Sequence, residues 1–267
     1  EERALKEARG LFQLIETRCR DSIGYLEAFD EGFTPVENDK LSENGVIAEK
    51  TMNTLLHVFE AYTQLYRITG DLAVRSSLCR ILDSFATQIY NPLLRRQEVF
   101  FDRNLHSLLD LHSYGHDIET AWLIDWGVEV LGEESYRNKM EPITRALAKE
   151  VYQRAYQKHS LSNECENGVV DTSRVWWVQA EAVVGFYNAY EKTGEIKYQE
   201  AAREIWGFIK EYIIDGREGS EWYWKVDENG IPNREKPMVE PWKCPYHNGR
   251  MCFEIIRRSN NAASKVL

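Results

Sequence analysis

Apolar residues recur at helical spacing along most of the chain. Between residues 175 and 191, for example, Val178, Ala182, Phe186 and Ala189 fall on one face of a helix. The same pattern predicts eight helices, at about residues 2–19, 45–68, 72–90, 115–131, 134–158, 174–192, 196–214 and 248–258. The polar positions between these stretches therefore divide the chain into helices and connections.

Three tight turns join the predicted helices in pairs. They are Thr69-Gly70-Asp71, Leu131-Gly132-Glu133 and Thr193-Gly194-Glu195, and their glycines are 62 residues apart both times. Glycine suits the position after a helix end, because it adopts left-handed backbone easily. The acidic residue that follows suits the first turn of the next helix.

The remaining connections are long and lie at about residues 20–44, 91–114, 159–173 and 215–247. They contain strand-like pieces at 24–29, 98–101 and 221–226, and the last runs into a hairpin signal at 227–230. The repeating unit is thus helix, tight turn, helix and long loop. Because long loops in compact domains usually carry function, we predict the active site at the long-loop end.

A two-helix unit of 62 residues predicts an all-α fold, a toroid of helical hairpins that closes as an (α/α)6 barrel. Six such units would need about 372 residues, and these 267 residues supply a little over four. We therefore expect one domain over residues 1–267 that lacks about two N-terminal hairpins, with weak or absent activity unless they are supplied. An open α-solenoid is the alternative architecture.

Composition narrows the class of protein. A net charge of -10 disfavours nucleic acid and anionic membrane surfaces as partners. No apolar run approaches the ~18 residues of a transmembrane helix, and the charged start lacks a signal-peptide pattern. The odd cysteine count without CxxC spacing indicates free thiols in the cytoplasm, at Cys19, Cys79, Cys165, Cys244 and Cys252.

Polar residues repeat at one register within the apolar helices. His57, Glu119 and Glu181 each lie 13 residues before their turn glycine. One turn earlier in the same helices lie Asn53, His116 and Trp177. Burying such groups is costly unless they meet one another or a ligand, so the repeated register favours a functional site. The alternative is that they are satisfied core hydrogen-bonding groups.

A second histidine occupies an equivalent place near the C-terminus. His247 lies where a long loop meets the last helix, three residues before Arg250, and His116 holds the matching position in its own unit. Two imidazoles at one end of a toroid suit proton transfer near neutral pH. His116 and Glu119 could instead be half of a metal site, which needs further ligands. The motifs GxSxG, GxGxxG and HExxH and the P-loop do not occur.

At these residues the sequence resembles the N-acylglucosamine 2-epimerase superfamily, and most closely its cellobiose 2-epimerase branch. The segments that carry the resemblance are Ser42–Gly45, Thr51–His57, Ser113–Glu119, Trp176–Glu181 and Trp242–Arg250. The family fold is an (α/α)6 barrel. The resemblance implies reversible C2 epimerisation of the reducing-end glucose of β-1,4-linked disaccharides such as cellobiose or lactose. It implies no cofactor and no metal, and a monomeric, cytoplasmic enzyme.

The resemblance also implies roles for the histidines. After the sugar ring opens, one histidine of the pair His116 and His247 removes the C2 proton and leaves a cis-enediolate. Rotation about the C2–C3 bond then lets the other histidine return a proton. His57, with Asn53 nearby, would assist ring opening or hold the enediolate oxygens.

The resemblance gives the remaining site residues roles in binding the substrate or in orienting other side chains. Glu119 and Glu181 would orient histidines and bind hydroxyls, and Arg250 would help hold the polar site. Three tryptophans complete the set. Trp177 and Trp242 would stack on sugar rings, and Trp176 would support them.

Three other functions fit parts of this pattern. One is an N-acetylglucosamine 2-epimerase or mannose isomerase on the same fold. Another is an inactive sugar-binding remnant. The third is a glycoside hydrolase, which would use Glu119 and Glu181 as its two carboxylates but would leave the histidines without a role.

Overall fold

The computed structural model describes residues 1–38, 40 and 44–264, with side chains to Asn260. Ser42 and Glu43 of the Ser42–Gly45 motif lie outside the described residues. The chain falls into two compact units. Unit 1 consists of Glu1–His112 and Leu123–Thr144, and unit 2 consists of Ser113–Trp122 and Arg145–Leu267.

The described residues form eight α-helices, the number that the apolar pattern predicts. They are α1 (Glu2–Leu14), α2 (Met52–Thr69), α3 (Leu72–Ser84), α4 (Tyr114–Leu131), α5 (Glu134–Arg154), α6 (Trp176–Thr193), α7 (Ile196–Phe208) and α8 (His247–Ser264). Three helices continue into a π-helical turn, α1 at Ile15–Cys19, α3 at Phe85–Ile89 and α7 at Ile209–Ile213.

Three predicted helix boundaries were wrong: α8 runs to Ser264 rather than ending near residue 258, and strand pairing explains the other two. Helix α2 begins at Met52 rather than near residue 45, because Lys50–Thr51 pairs with Phe100–Phe101 and the Thr51 side chain caps the helix. Helix α5 ends at Arg154 rather than near residue 158, because the following residues form a two-stranded hairpin with Ser160–Leu161. A strand needs extended backbone, so it stops the helix.

The three turn glycines have the predicted left-handed conformation. Gly70, Gly132 and Gly194 have φ values of 62°, 72° and 73°. Each donates its N–H to the carbonyl four residues earlier, at 2.8, 3.0 and 2.8 Å. This bond satisfies a carbonyl at the helix end that would otherwise lack a partner.

The strands are short and all lie in the long connections. They are Lys50–Thr51, Tyr90–Asn91, Arg96–Gln97, Phe100–Phe101, Leu111–Ser113, Tyr156–Gln157, Ser160–Leu161, Glu164–Glu166, Val169–Asp171, Arg174–Val175 and Lys225–Val226. The predicted strand at 24–29 was wrong, since this segment makes only isolated bridges. The predicted pieces at 98–101 and 221–226 are strands only in their last two residues.

In unit 1 the core forms where α2 meets α3 and the second part of α4. Leu56, Phe59, Leu78 and Leu82 are fully buried. A Cβ on Gly127 would lie 2.2 Å from the Phe59 ring, so glycine permits this close approach. The helices pack at a distance that only a missing side chain allows.

In unit 2 helix α6 is buried on nearly every side. Val178, Ala182, Phe186 and Ala189 are all buried, as the apolar face predicts. A Cβ on Gly185 would lie 2.7 Å from the carbonyl oxygen of Ile118. Glycine thus brings α6 against the first part of α4, and this contact sets the spacing of the polar residues that both helices carry.

Two further findings bear on the class of protein. Among the described residues, no helix combines the length and the apolar character needed to cross a membrane. All five cysteines lie within the described residues, and none of them forms a disulfide.

Candidate active site

Two carboxylates meet inside unit 2. Glu119 on α4 and Glu181 on α6 each occupy the sixth position of their helix, and both side chains are fully buried. The predicted common register of Glu119 and Glu181 is therefore confirmed. His57 has the same register on α2, but its side chain is 31% exposed.

Helix α8 brings cationic and imidazole groups to these carboxylates. Arg250 donates to both, in a short contact to Glu119 and at 2.8 Å to Glu181. His247 Nδ1 lies 2.8 Å from the same Glu181 oxygen and 3.8 Å from Glu119. The other oxygen of Glu181 accepts a bond from the Trp122 indole at 2.9 Å. Glu181 therefore accepts three hydrogen bonds inside the protein.

The charges in this cluster compensate one another. Burial raises the pKa of the Glu181 carboxyl, but the Arg250 charge and the hydrogen bonds from His247 and Arg250 outweigh it and hold the pKa well below its usual value. The Arg250 guanidinium lies 5.1 Å from the Trp122 ring centre and 4.6 Å from that of Tyr246. Two aromatic faces thus fix the cation between two carboxylates.

A tryptophan links the two histidines. The Trp177 ring centre lies 4.8 Å from that of His116 and 5.4 Å from that of His247. His116 Nδ1 lies 2.8 Å from the Ser113 hydroxyl, and Trp176 packs edge-on to His247 at 5.5 Å. Both imidazoles are therefore held through Nδ1 and lie on the same indole.

Gly115 makes room for this arrangement. A Cβ at this position would lie 2.5 Å from the Trp177 ring and 2.8 Å from Val178. No heavy-atom contact of that length is tolerated, so a side chain here would displace the tryptophan that contacts both His116 and His247.

Most of the predicted site residues come together in unit 2. The connected set is His116, Glu119, Trp176, Trp177, Glu181, His247 and Arg250. Trp242 precedes α8 and is 65% exposed. Asn53 and His57 belong to unit 1, where His57 Nδ1 lies 3.0 Å from Glu60. Their roles, like those of the other site residues, stay predictions.

Sequence reasoning missed several members of this site. Trp122 lies one turn after Glu119, a spacing that puts both on one helix face and was available from the sequence. Ser113 lay inside a quoted motif but received no role. Lys243 lies in the Trp242–Arg250 segment but received no role. Glu221 gave no signal, because a charge in a loop does not reveal its partner.

A metal ion could be held by a different set of residues from the one that the sequence suggested. Ligand atoms of Glu119, Glu181 and His247 lie within 4.8 Å of one another. The Arg250 guanidinium donates to both of these carboxylates, however. A bound cation would have to compete with Arg250 for the same oxygens, so this donor set fits an arginine better than a metal.

Helices paired through glycine turns, with this polar cluster at the helix starts, are typical of α/α-toroid proteins. The chain belongs to the N-acylglucosamine 2-epimerase family, whose profile matches residues 1–248.

Individual relatives agree with this assignment. The chain is 46% identical over 270 residues to a cellobiose 2-epimerase of Eubacterium cellulosolvens. The matched region covers 95% of this chain and 66% of the relative. It is 44% identical over 248 residues to a cellobiose 2-epimerase of Dictyoglomus turgidum. That match covers 93% of this chain and 64% of the relative. The chain thus spans slightly less than two thirds of these curated relatives.

A solved structure supports the fold assignment. The cellobiose 2-epimerase of Bacillus thermoamylovorans is similar to this chain with a TM-score of 0.90 and 44% identity, over 97% of this chain and 66% of the other. The predicted α/α-toroid fold class is therefore confirmed. The prediction of a single domain over residues 1–267 stays a prediction.

Proposed function

We propose that this chain carries the proton-transfer site of a carbohydrate 2-epimerase. The proposed substrate is a β-1,4-linked disaccharide such as cellobiose or lactose, and the reaction inverts C2 of its reducing-end glucose to give the mannose epimer. The names of the similar proteins support the reaction class. The observation that carries the proposal is that the rings of His116 and His247 both contact the Trp177 indole.

Inversion by proton exchange needs a base on each face of the reacting carbon. Hydrogen bonding through Nδ1 directs Nε2 of each ring toward proton transfer. In the open-chain sugar, the C1 aldehyde makes the C2 proton acidic. One imidazole takes that proton, the C2–H electron pair moves into a cis-enediolate, and after rotation about C2–C3 the other imidazolium gives a proton to the opposite face.

The carboxylates act on the histidine rather than on the sugar carbon in this proposal. With Glu181 as its acceptor, the Nδ1 of neutral His247 carries the proton, which leaves the lone pair on Nε2. The nearby Glu181 charge also stabilises the imidazolium that forms during catalysis. Arg250 also donates to the second buried carboxylate, Glu119, and compensates its charge.

Hydrogen exchange at C2 tests this proposal. The chain is incubated in heavy water with cellobiose or with its mannose epimer, both as given and fused to the third of the Eubacterium cellulosolvens relative that it does not match. We expect His247→Asn and His116→Asn each to lower deuterium uptake by at least ~10²-fold from one epimer while uptake from the other persists. The affected epimer should differ between the two variants.

A matched control comes from a third histidine of unit 2. His159 is exposed and pairs with Glu204 at 2.9 Å, so His159→Asn should leave exchange unchanged. Uptake from both epimers that survives His247→Asn would contradict the two-base proposal. Mannose and N-acetylglucosamine assayed beside cellobiose identify the substrate class, and turnover of either without turnover of cellobiose would overturn the disaccharide assignment.

A further inference from the structure

An ammonium group is buried shortly before the last helix. Lys243 is fully buried, four residues before His247. Its Nζ donates to the Glu221 carboxylate in a short contact and to the Met238 carbonyl at 2.8 Å, and it lies 5.1 Å from the Trp176 ring centre. Burying such an ion pair costs several kcal/mol per ion before the partners compensate, and apolar residues of the same size often stabilise a core better. Stability alone therefore does not account for Lys243.

Glu221 reaches past Lys243 to helix α8 itself. Its second oxygen accepts a short bond from the side-chain amide of Asn248, which is 8% exposed and directly follows His247. The Asn248 oxygen in turn accepts the Gly249 N–H at 3.0 Å. One carboxylate thus holds the chain on both sides of His247.

The backbone of Lys243 closes a tight turn. Lys243 and Glu240 exchange N–H···O bonds of 2.9 and 3.1 Å. Trp242 lies inside this turn, with its side chain 65% exposed. The Glu221 carboxylate that holds Lys243 therefore also holds the turn that carries Trp242.

Buried basic side chains also precede the earlier helices that begin after a long loop. Lys50, His112 and Arg174 lie 62 residues apart, each two residues before its helix, and each is at most 4% exposed. Lys50 binds Asp21 and a loop carbonyl, and Arg174 binds two serine hydroxyls and a loop carbonyl. Lys243 follows the same principle before α8, with a loop carboxylate and a loop carbonyl as its partners.

We infer that Glu221, Lys243 and Asn248 form a clamp that positions His247 for proton transfer and Trp242 for substrate binding. The inference rests on the proposed function. The clamp residues touch the loop and the start of α8 rather than the reacting atoms, so they are positioning residues. Loss of the clamp frees the first turn of α8, and His247 then loses its alignment with Glu181 and Trp176.

Variants of the chain, fused to the third of the Eubacterium cellulosolvens relative that it does not match, test the clamp. Lys243→Met keeps the side-chain length and removes the charge, and adding Glu221→Gln in a double variant removes the unpaired partner. We expect Lys243→Met to lower kcat for C2 exchange at least ~10-fold and to raise KM several-fold, since a mispositioned group of about 1 Å costs that much or more. The double variant should regain most of the urea stability without regaining kcat.

A control and a second variant make the result decisive. Glu191→Gln breaks the ion pair to Arg258 farther along α8 by the same Glu-to-Gln change as at Glu221, and should lower stability while kcat stays unchanged. Asn248→Ala keeps the buried pair and severs only the contact to α8, so it should lower kcat with little change in KM. This variant decides the question if Lys243→Met does not fold.

Three results would overturn the clamp: recovery of kcat together with stability in the double variant, an unchanged kcat in Asn248→Ala, or losses no larger than those of Glu191→Gln. Histidine ring resonances separate this outcome from failure of the proposed function. If the fused wild-type protein exchanges no C2 hydrogen with any sugar, the proposed function fails. A shift of the His247 resonances in Asn248→Ala but not in Glu191→Gln would still support the positioning role, and no shift would refute it.

Discussion

Replacing Glu181 by glutamine removes one charge and exchanges one carboxylate oxygen for an amide. In the wild type, Glu181 accepts bonds from Trp122, His247 and Arg250 while fully buried. The amide NH2 of glutamine cannot accept a bond. If it takes the place of the oxygen that faces Trp122, the buried indole N–H has no acceptor, which costs about 1–3 kcal/mol.

The lost charge adds to this cost. The Arg250 bond changes from an ion pair to a bond with a neutral acceptor, a loss of roughly 1–2 kcal/mol, and cheaper burial of the neutral amide offsets part of it. We expect a net destabilisation of about 3 kcal/mol, within the range measured when one partner of a buried ion pair is removed. Urea unfolding at pH 7, followed by tryptophan fluorescence, measures it.

The matched comparison is Glu191→Gln, which has the same change of charge at a carboxylate that is 38% exposed and paired with Arg258. Arg258 is 8% exposed but keeps its contacts to Asn188 and Glu254, and the amide introduced at this partly exposed position is hydrated, so this variant should lose far less stability. Equal losses in the two variants, or a loss below about 1 kcal/mol for Glu181→Gln, would refute the inference that the Glu181 contacts stabilise unit 2.

Two further predictions concern the same cluster. Gly115→Ala should cost about 1–3 kcal/mol in urea unfolding and shift the Trp177 fluorescence, because its Cβ would overlap the Trp177 ring; a variant with wild-type stability and spectrum would contradict the packing. The folded-state pKa of Glu181 is below its unfolded value of about 4.5, so its contribution is fully present above pH 4.5 and is lost as the pH falls toward 2. The stability gap between wild type and Glu181→Gln should therefore narrow on acidification, and a constant gap between pH 7 and pH 3 would argue against an ionised Glu181.

The site was predictable where it depends on the repeat. Glu119 and Glu181 share a helical register, and their helices touch at Gly185, so equivalent sequence positions meet in space. The same register did not predict the burial of His57, which is partly exposed and bonded to Glu60. Burial depends on which neighbours cover a side chain, and the repeat says nothing about them.

The sequence by itself determined the helices, their pairing and the three helix ends at glycine turns. Apolar spacing is a local property, and the steric freedom of glycine decides where Gly70, Gly132 and Gly194 end a helix whatever surrounds them. Only the tertiary structure decided the partners of the charged residues. Arg250 pairs with carboxylates 131 and 69 residues away, and Lys243 pairs with Glu221 in a loop. Coulomb attraction acts between any opposite charges, so the packing of α4, α6 and α8, rather than the residue types, selects which pairs form.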